Sequence, residues 1–239
     1  MLAVGLFILV CITPANATTV LAQGSTVEGR TIGEWTAEWW QWAYSQSIPN
    51  DAFTDTTGVY SSINQSGPVF FVAGTIGGEA TRSFSVPIDT YLLVPLINVS
   101  VSESSFGGSP TEEDLRDYAD SLIREVDNLF AEIDGMAVPN LFDYRELSPI
   151  FSYDAALNNP LGVPAGPSGD AVSDGYWLMI EPLSAGTHTI SFGGGISEIF
   201  SVSVVDTIDV APVPEPSTVV LMGLGLVGLA GFGRKKFKK

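Results

Sequence analysis

Two apolar runs at the extreme ends of this chain decide how much of it can fold as a soluble domain. The first, inside "MLAVGLFILVCITPANATT", extends from Leu2 to Ile12 and is too short to span a bilayer. Pro14 ends its helix, and the small-x-small triplet Ala15-Asn16-Ala17 comes next. Residues 1–17 therefore read as a secretory signal peptide, cut by signal peptidase after Ala17, with Ala15 and Ala17 as the small recognition residues. The second run, Thr218 to Phe232, has fifteen residues. That is about 23 Å of helix against a hydrocarbon core of about 30 Å. Gly223, Gly225, Gly228 and Gly231 within it, and Gly233 just after it, favour close approach to another helix. Arg234, Lys235, Lys236, Lys238 and Lys239 close the chain, and the positive-inside rule keeps them cytoplasmic. The expectation is one membrane helix at about 217–233 and a basic tail at 234–239, with the body, residues 18–210, outside the cytoplasm.

Charge sharpens the contrast between body and tail. Before Glu215 stand only Arg30, Arg82, Arg116, Arg124 and Arg145, and no lysine, against 26 carboxylates. A surface this acidic repels nucleic acid and anionic lipid. Its simplest use is solubility. A second use is calcium, at Asp51 and Asp55 or at Asp170 and Asp174, although neither pair matches an EF-hand loop. Cys11 is the single cysteine and falls in the leader, so the mature chain is expected to have no disulfide and no thiolate metal site. No other cofactor is implied.

The body reads as mainly β. "GPVFFVAG", "RSFSVP" and "YLLVPLINVS" are short β-branched and aromatic runs punctuated by Gly and Pro. "DGYWLMIEPL", "AGTHTISFGG" and "EIFSVSVVDTIDV" resume the pattern, about ten residues apart, as in a β-sandwich. Arg82 is expected to point away from the core, or else to pair with a carboxylate. Two helices interrupt the strands. "TIGEWTAEWWQWAYS" starts with a capping-box pattern, Thr31 and Glu34, and carries Ile32, Trp35, Trp39 and Trp42 at helical spacing beside Trp40. The second helix is expected from about Pro110 to Asp134, capped by Ser109 and stopped by Gly135, with Leu115, Tyr118, Leu122, Val126, Leu129 and Ile133 on its apolar face.

The order "VPEP" at Val213 to Pro216, a Gly-rich apolar helix, then "RKK" resembles a PEP-CTERM sorting signal, placed at residues 211–239. The resemblance implies recognition by an exosortase, a membrane protease, with Pro214, Glu215, Pro216, Arg234, Lys235 and Lys236 as processing residues. It also implies a Gram-negative host that makes exopolysaccharide, with the body delivered to the cell surface or the exopolysaccharide matrix. Proline geometry agrees in part, since these prolines cannot continue a helix and keep the motif extended. The body, through "EWWQWA", "QSGPVFFVAGT" and "DGYWLMIEPLSAGTHTISF", resembles a group of secreted bacterial proteins that brings no activity with it.

Few residues offer chemistry. His188 is the only histidine, so any Ser-His-Asp triad depends on it, and cross-strand packing is the simpler role. Sites built on several histidines or cysteines are excluded. "GPSGD" at Gly166 to Asp170 lacks the serine position of a nucleophile elbow. The expectation is therefore a non-enzymatic exported protein. The alternatives are a carbohydrate-binding module that stacks sugars on Trp35, Trp39, Trp40 and Trp42, and a secreted hydrolase using two carboxylates.

Overall fold

A computed structural model describes residues 19–106 and 109–211. The signal peptide, the sorting motif, the expected membrane helix and the basic tail lie outside the described residues. Among the described residues no helix is long and apolar enough to cross a membrane.

The chain opens with a small ribbon, β1 (Thr26–Val27) and β2 (Arg30–Thr31), and continues into α1 (Ile32–Tyr44). Then come β3 (Val69–Phe71), β4 (Gly78–Val86), β5 (Tyr91–Ser102), the single turn α2 (Glu103–Phe106) and α3 (Glu112–Ile123). After these stand β6 (Asn128–Ile133), β7 (Met136–Ala137), β8 (Arg145–Leu147), β9 (Asp154–Ala155) and β10 (Gly166–Pro167). The last three strands, β11 (Ala171–Ile180), β12 (Gly186–Ile196) and β13 (Phe200–Val210), are also long ones. One sheet has the order β3-β5-β11-β8 and the other β4-β13-β12-β6-β7. Most pairings are antiparallel. The two parallel ones, β3 with β5 and β4 with β13, each involve an outermost strand of its sheet.

The two sheets face each other. Phe70, Leu92, Val94, Leu178 and Ile180 of the first pack against Phe84, Phe192, Val204, Ile208 and Val210 of the second. The outer face of the first sheet is covered too. Val69, Phe71, Leu93, Trp177 and Met179 point there, into the tryptophans of α1. The fold is thus mainly β, a sandwich with a third layer laid over one sheet. That third layer explains β11: all ten of its residues are buried, so its run shows no alternation of apolar and polar. β13 has one buried face and does alternate, with Val202, Val204, Ile208 and Val210 inward.

The second helix is shorter than its apolar spacing predicts. It is capped by Thr111, not Ser109, and ends at Ile123. Its buried residues are Leu115, Ala119 and Ile123, while Tyr118 and Leu122 are exposed. Leu129 and Ile133 belong to β6, paired with β12 at Gly194 and Ile190. The segment 126–133 satisfies both periods, since Leu129, Ala131 and Ile133 also alternate. Pairing decides between them: β12 offers Gly193, Gly194 and Gly195 to β6, and a Cβ at Gly194 would stand 2.3 Å from the Asn128 carbonyl oxygen. Gly135 then serves the turn between β6 and β7, with φ at +77°.

Arg82 is a second correction. Residues two apart along a strand share a face. Arg82 therefore points inward with Phe84 and Val86, and is 2% exposed.

Candidate functional site

The four tryptophans of α1 fill the layer between that helix and the sheet. The capping box forms as expected: Thr31 Oγ1 accepts from the Glu34 N–H at 3.2 Å, and the Glu34 carboxylate accepts from the Thr31 N–H at 2.7 Å. The helix lies so close to β8 that a Cβ on Gly33 would come within 2.2 Å of the Leu147 carbonyl. Trp35, Trp39, Trp40 and Trp42 are between 3% and 7% exposed. Each indole N–H donates inward: Trp35 to Val27 O, Trp39 to Val72 O, Trp40 to Ser173 Oγ and Trp42 to Ile63 O. Trp39 also meets Trp40, Trp42, Phe53 and Trp177 edge to face, with centroids 5.1–5.8 Å apart. Sugar stacking needs an open indole face, and these rings are spent on the core. A mostly apolar cleft of about 180 Å³ between Ile76 and Phe200 is lined in part by Trp39 and Trp40, both of which stay buried.

The carboxylate pairs considered for calcium are largely engaged by the protein. Asp51 accepts from the N–H groups of Phe53 and Thr54 and from Thr54 Oγ1. Asp55 accepts from Thr57, Gly58 and Tyr60. Partial burial works against its charge, yet these donors hold its carboxyl below the usual range. Asp174 is 1% exposed and bound by Arg145 through Nε at 2.9 Å and Nη2 at 2.5 Å. Arg145 also bonds Asp120 of α3 at 2.7 Å and so ties that helix to β8 and β11. The hydrogen bonds from Arg145 and Arg124 hold Asp120 below the usual range. Asp170 is exposed. Among the described residues no three or more His, Cys, Asp or Glu gather as a metal site would require. All five arginines before the tail pair with a carboxylate, which leaves the acidic surface unrelieved.

His188, in β12, does meet a serine and an aspartate. Its Nδ1 is 2.7 Å from Asp134 Oδ2, and its Nε2 is 3.4 Å from Ser184 Oγ. The same Nε2 is 2.9 Å from the Ser184 carbonyl oxygen, which can only accept. Nε2 therefore serves as a donor in this arrangement, the opposite of what a base activating Ser184 needs. The imidazole clips the turn between β6 and β7 to the loop between β11 and β12.

Sequence reasoning missed the most unusual buried group. Asp206, opposite Arg82 in the β13–β4 register, is 0% exposed. Arg82 gives its hydrogen bonds to the carbonyls of Asp55, Ala73 and Gly74 instead. The signal was available in the alternation Val202, Val204, Asp206, Ile208, which places a carboxylate on an apolar face.

The remaining feature is the chain's exit. β13 ends with Val210 opposite Val86, and Ala211 lines a groove of about 570 Å³ floored by Val69, Phe70, Val86 and Pro87. The residues beyond Ala211 decide the functional reading. Residues 212–235 match the PEP-CTERM protein-sorting motif. The chain carries a PEP-CTERM sorting motif after its last strand. The motif covers Pro214, Glu215, Pro216, Arg234 and Lys235, and it begins two residues after the last strand. It marks a PEP-CTERM protein as exported, with a C-terminal membrane-anchored sorting signal that exosortase processes. No curated protein and no solved structure matches the chain, so the likeness of the body to other secreted proteins gains no support.

Proposed function

We propose that this PEP-CTERM protein is a non-enzymatic component of the outer surface or exopolysaccharide matrix, released there by exosortase. The observation that carries the reading is the sorting motif directly after β13, with the strands of the sandwich all preceding it. Pro214, Glu215 and Pro216 are the cutting address, and Arg234, Lys235 and Lys236 hold the end in the cytoplasm. Signal peptidase acts at the other end, at Ala15 and Ala17. The acidic surface, with every arginine of the body paired, favours a solvated role in a hydrated polymer over contact with nucleic acid or anionic lipid.

Replacement of Pro214, Glu215 and Pro216 by alanine in an exosortase-bearing host tests this. Membrane fractionation should find the variant held at the inner membrane while the wild type leaves it. Equal release of both would contradict the reading.

A further inference from the structure

β3 accompanies β5 for only three residues, Val69–Phe71 beside Tyr91–Leu93. One more bond follows, from the Val72 N–H to the Leu93 carbonyl at 3.0 Å. The carbonyls of Ala73 and Gly74 then go to Arg82 instead. Past that point Pro95 to Asn98 of β5 line the cleft of about 180 Å³ that also reaches Trp39, Trp40 and Val202. Gly74 lines it as well. Among the described glycines, Gly74 alone has neither a φ in the left-handed region nor a neighbour that a Cβ would crowd. The nearest atom to such a Cβ, at 3.6 Å, is Cγ of Pro95, itself a wall of the cleft. Neither backbone conformation nor close packing calls for glycine here. Its missing side chain leaves the cleft open.

The walls define what fits. An apolar protein cavity of about 150 Å³ holds one benzene ring, so there is room for a single ring. No residue lining the cleft is charged, although 26 carboxylates and five arginines precede Glu215, and an uncharged guest suits such walls. The indole N–H groups of Trp39 and Trp40 are engaged elsewhere, so these side chains offer carbon alone. Aromatic walls favour an aromatic guest, because edge-to-face contact adds to the burial of area. Asn98 supplies the polar group: its amide bonds no described residue, and it can both donate and accept.

We propose that this cleft binds a free, neutral, single-ring aromatic molecule with one hydrogen-bonding substituent, a simple phenol in chemical class. The ring lies among Trp39, Trp40, Pro95 and Val202, and its hydroxyl meets the Asn98 amide. The cleft binds this ligand whether or not exosortase releases the body.

Fluorine NMR of the full chain in nanodiscs, with 5-fluorotryptophan in place of tryptophan, tests this with phenol as the probe. The Trp39 and Trp40 signals should shift saturably, and the Trp35 signal should stay still. Gly74→Leu, which fills the cleft, should abolish the shifts while the signals keep their dispersion. Asn98→Ala should weaken phenol about fivefold and leave benzene unchanged, as expected for the loss of one hydrogen bond. Shifts that never saturate, or that persist in Gly74→Leu, would overturn the proposal. So would equal shifts with glucose, or shifts that follow protein concentration without phenol, which would place a second copy in the cleft.

Discussion

The Arg82 guanidinium stands 4.0 Å from the Asp206 carboxylate inside the sandwich, and neither Asp206 oxygen receives a hydrogen bond from a described residue. Burial dominates both partners. It pushes the Asp206 carboxyl up to about 7, which the Arg82 charge only partly offsets, and it lowers Arg82 despite Asp206, Asp55 and Asp51 nearby. The pair is a cost carried by the core, anchored by the three carbonyls that hold Arg82.

This burial gives stability a pH dependence of definite sign. An unfolded aspartate titrates near 3.9, so the folded state binds this proton more tightly. The contribution is intact below about pH 4, is lost as pH rises through 7, and stays lost above. Asp206→Asn should leave the urea midpoint unchanged at pH 4 and raise stability at pH 8.5, by on the order of 4 kcal/mol. Equal midpoints at pH 8.5 would contradict the burial of an ionising carboxylate. Arg82→Ala, which orphans three carbonyls, should cost about 3–5 kcal/mol.

α3 gives a paired test. Leu115 is 0% exposed and Leu122 is 38% exposed, on the same helix. Leu115→Asp should cost several kcal/mol, of the order seen for an unpaired charge in a core, and Leu122→Asp less than about 1 kcal/mol. Thermal melts compare the two, and equal losses would return Leu122 to the core.

Trp39 is the hub of the aromatic layer. Trp39→Ala should cost about 3–5 kcal/mol. The tryptophan emission of the wild type should be blue-shifted and resist iodide quenching. Oligosaccharides of the host's matrix should leave it unchanged; a saturable change in emission would revive a sugar-binding role for α1.

Much of this fold is legible in the sequence where a residue pattern has one physical solution. The Thr31–Glu34 capping box, the strand runs and the alternation of β13 are of this kind. The end of α3 is not, because 126–133 fits both periods and only pairing with the glycines of β12 selects the strand. Arg82 was legible by strict alternation with Phe84 and Val86, but a charge on the inner face runs against ordinary burial preference. The tryptophans of α1 show their face and not their destination: the same stripe fits a buried layer and an open platform, and the neighbours Phe53, Phe71 and Trp177 settle it from farther along the chain.

The sorting address is tested most directly by the intact mass of the protein recovered from the surface fraction of an exosortase-bearing host. The expected mass is that of a chain starting at Thr18 and lacking Thr218 to Lys239. A surface-fraction protein ending at Lys239, with the same mass in the Pro214, Glu215 and Pro216 alanine variant, would show that the tail is an ordinary anchor and not a cutting address.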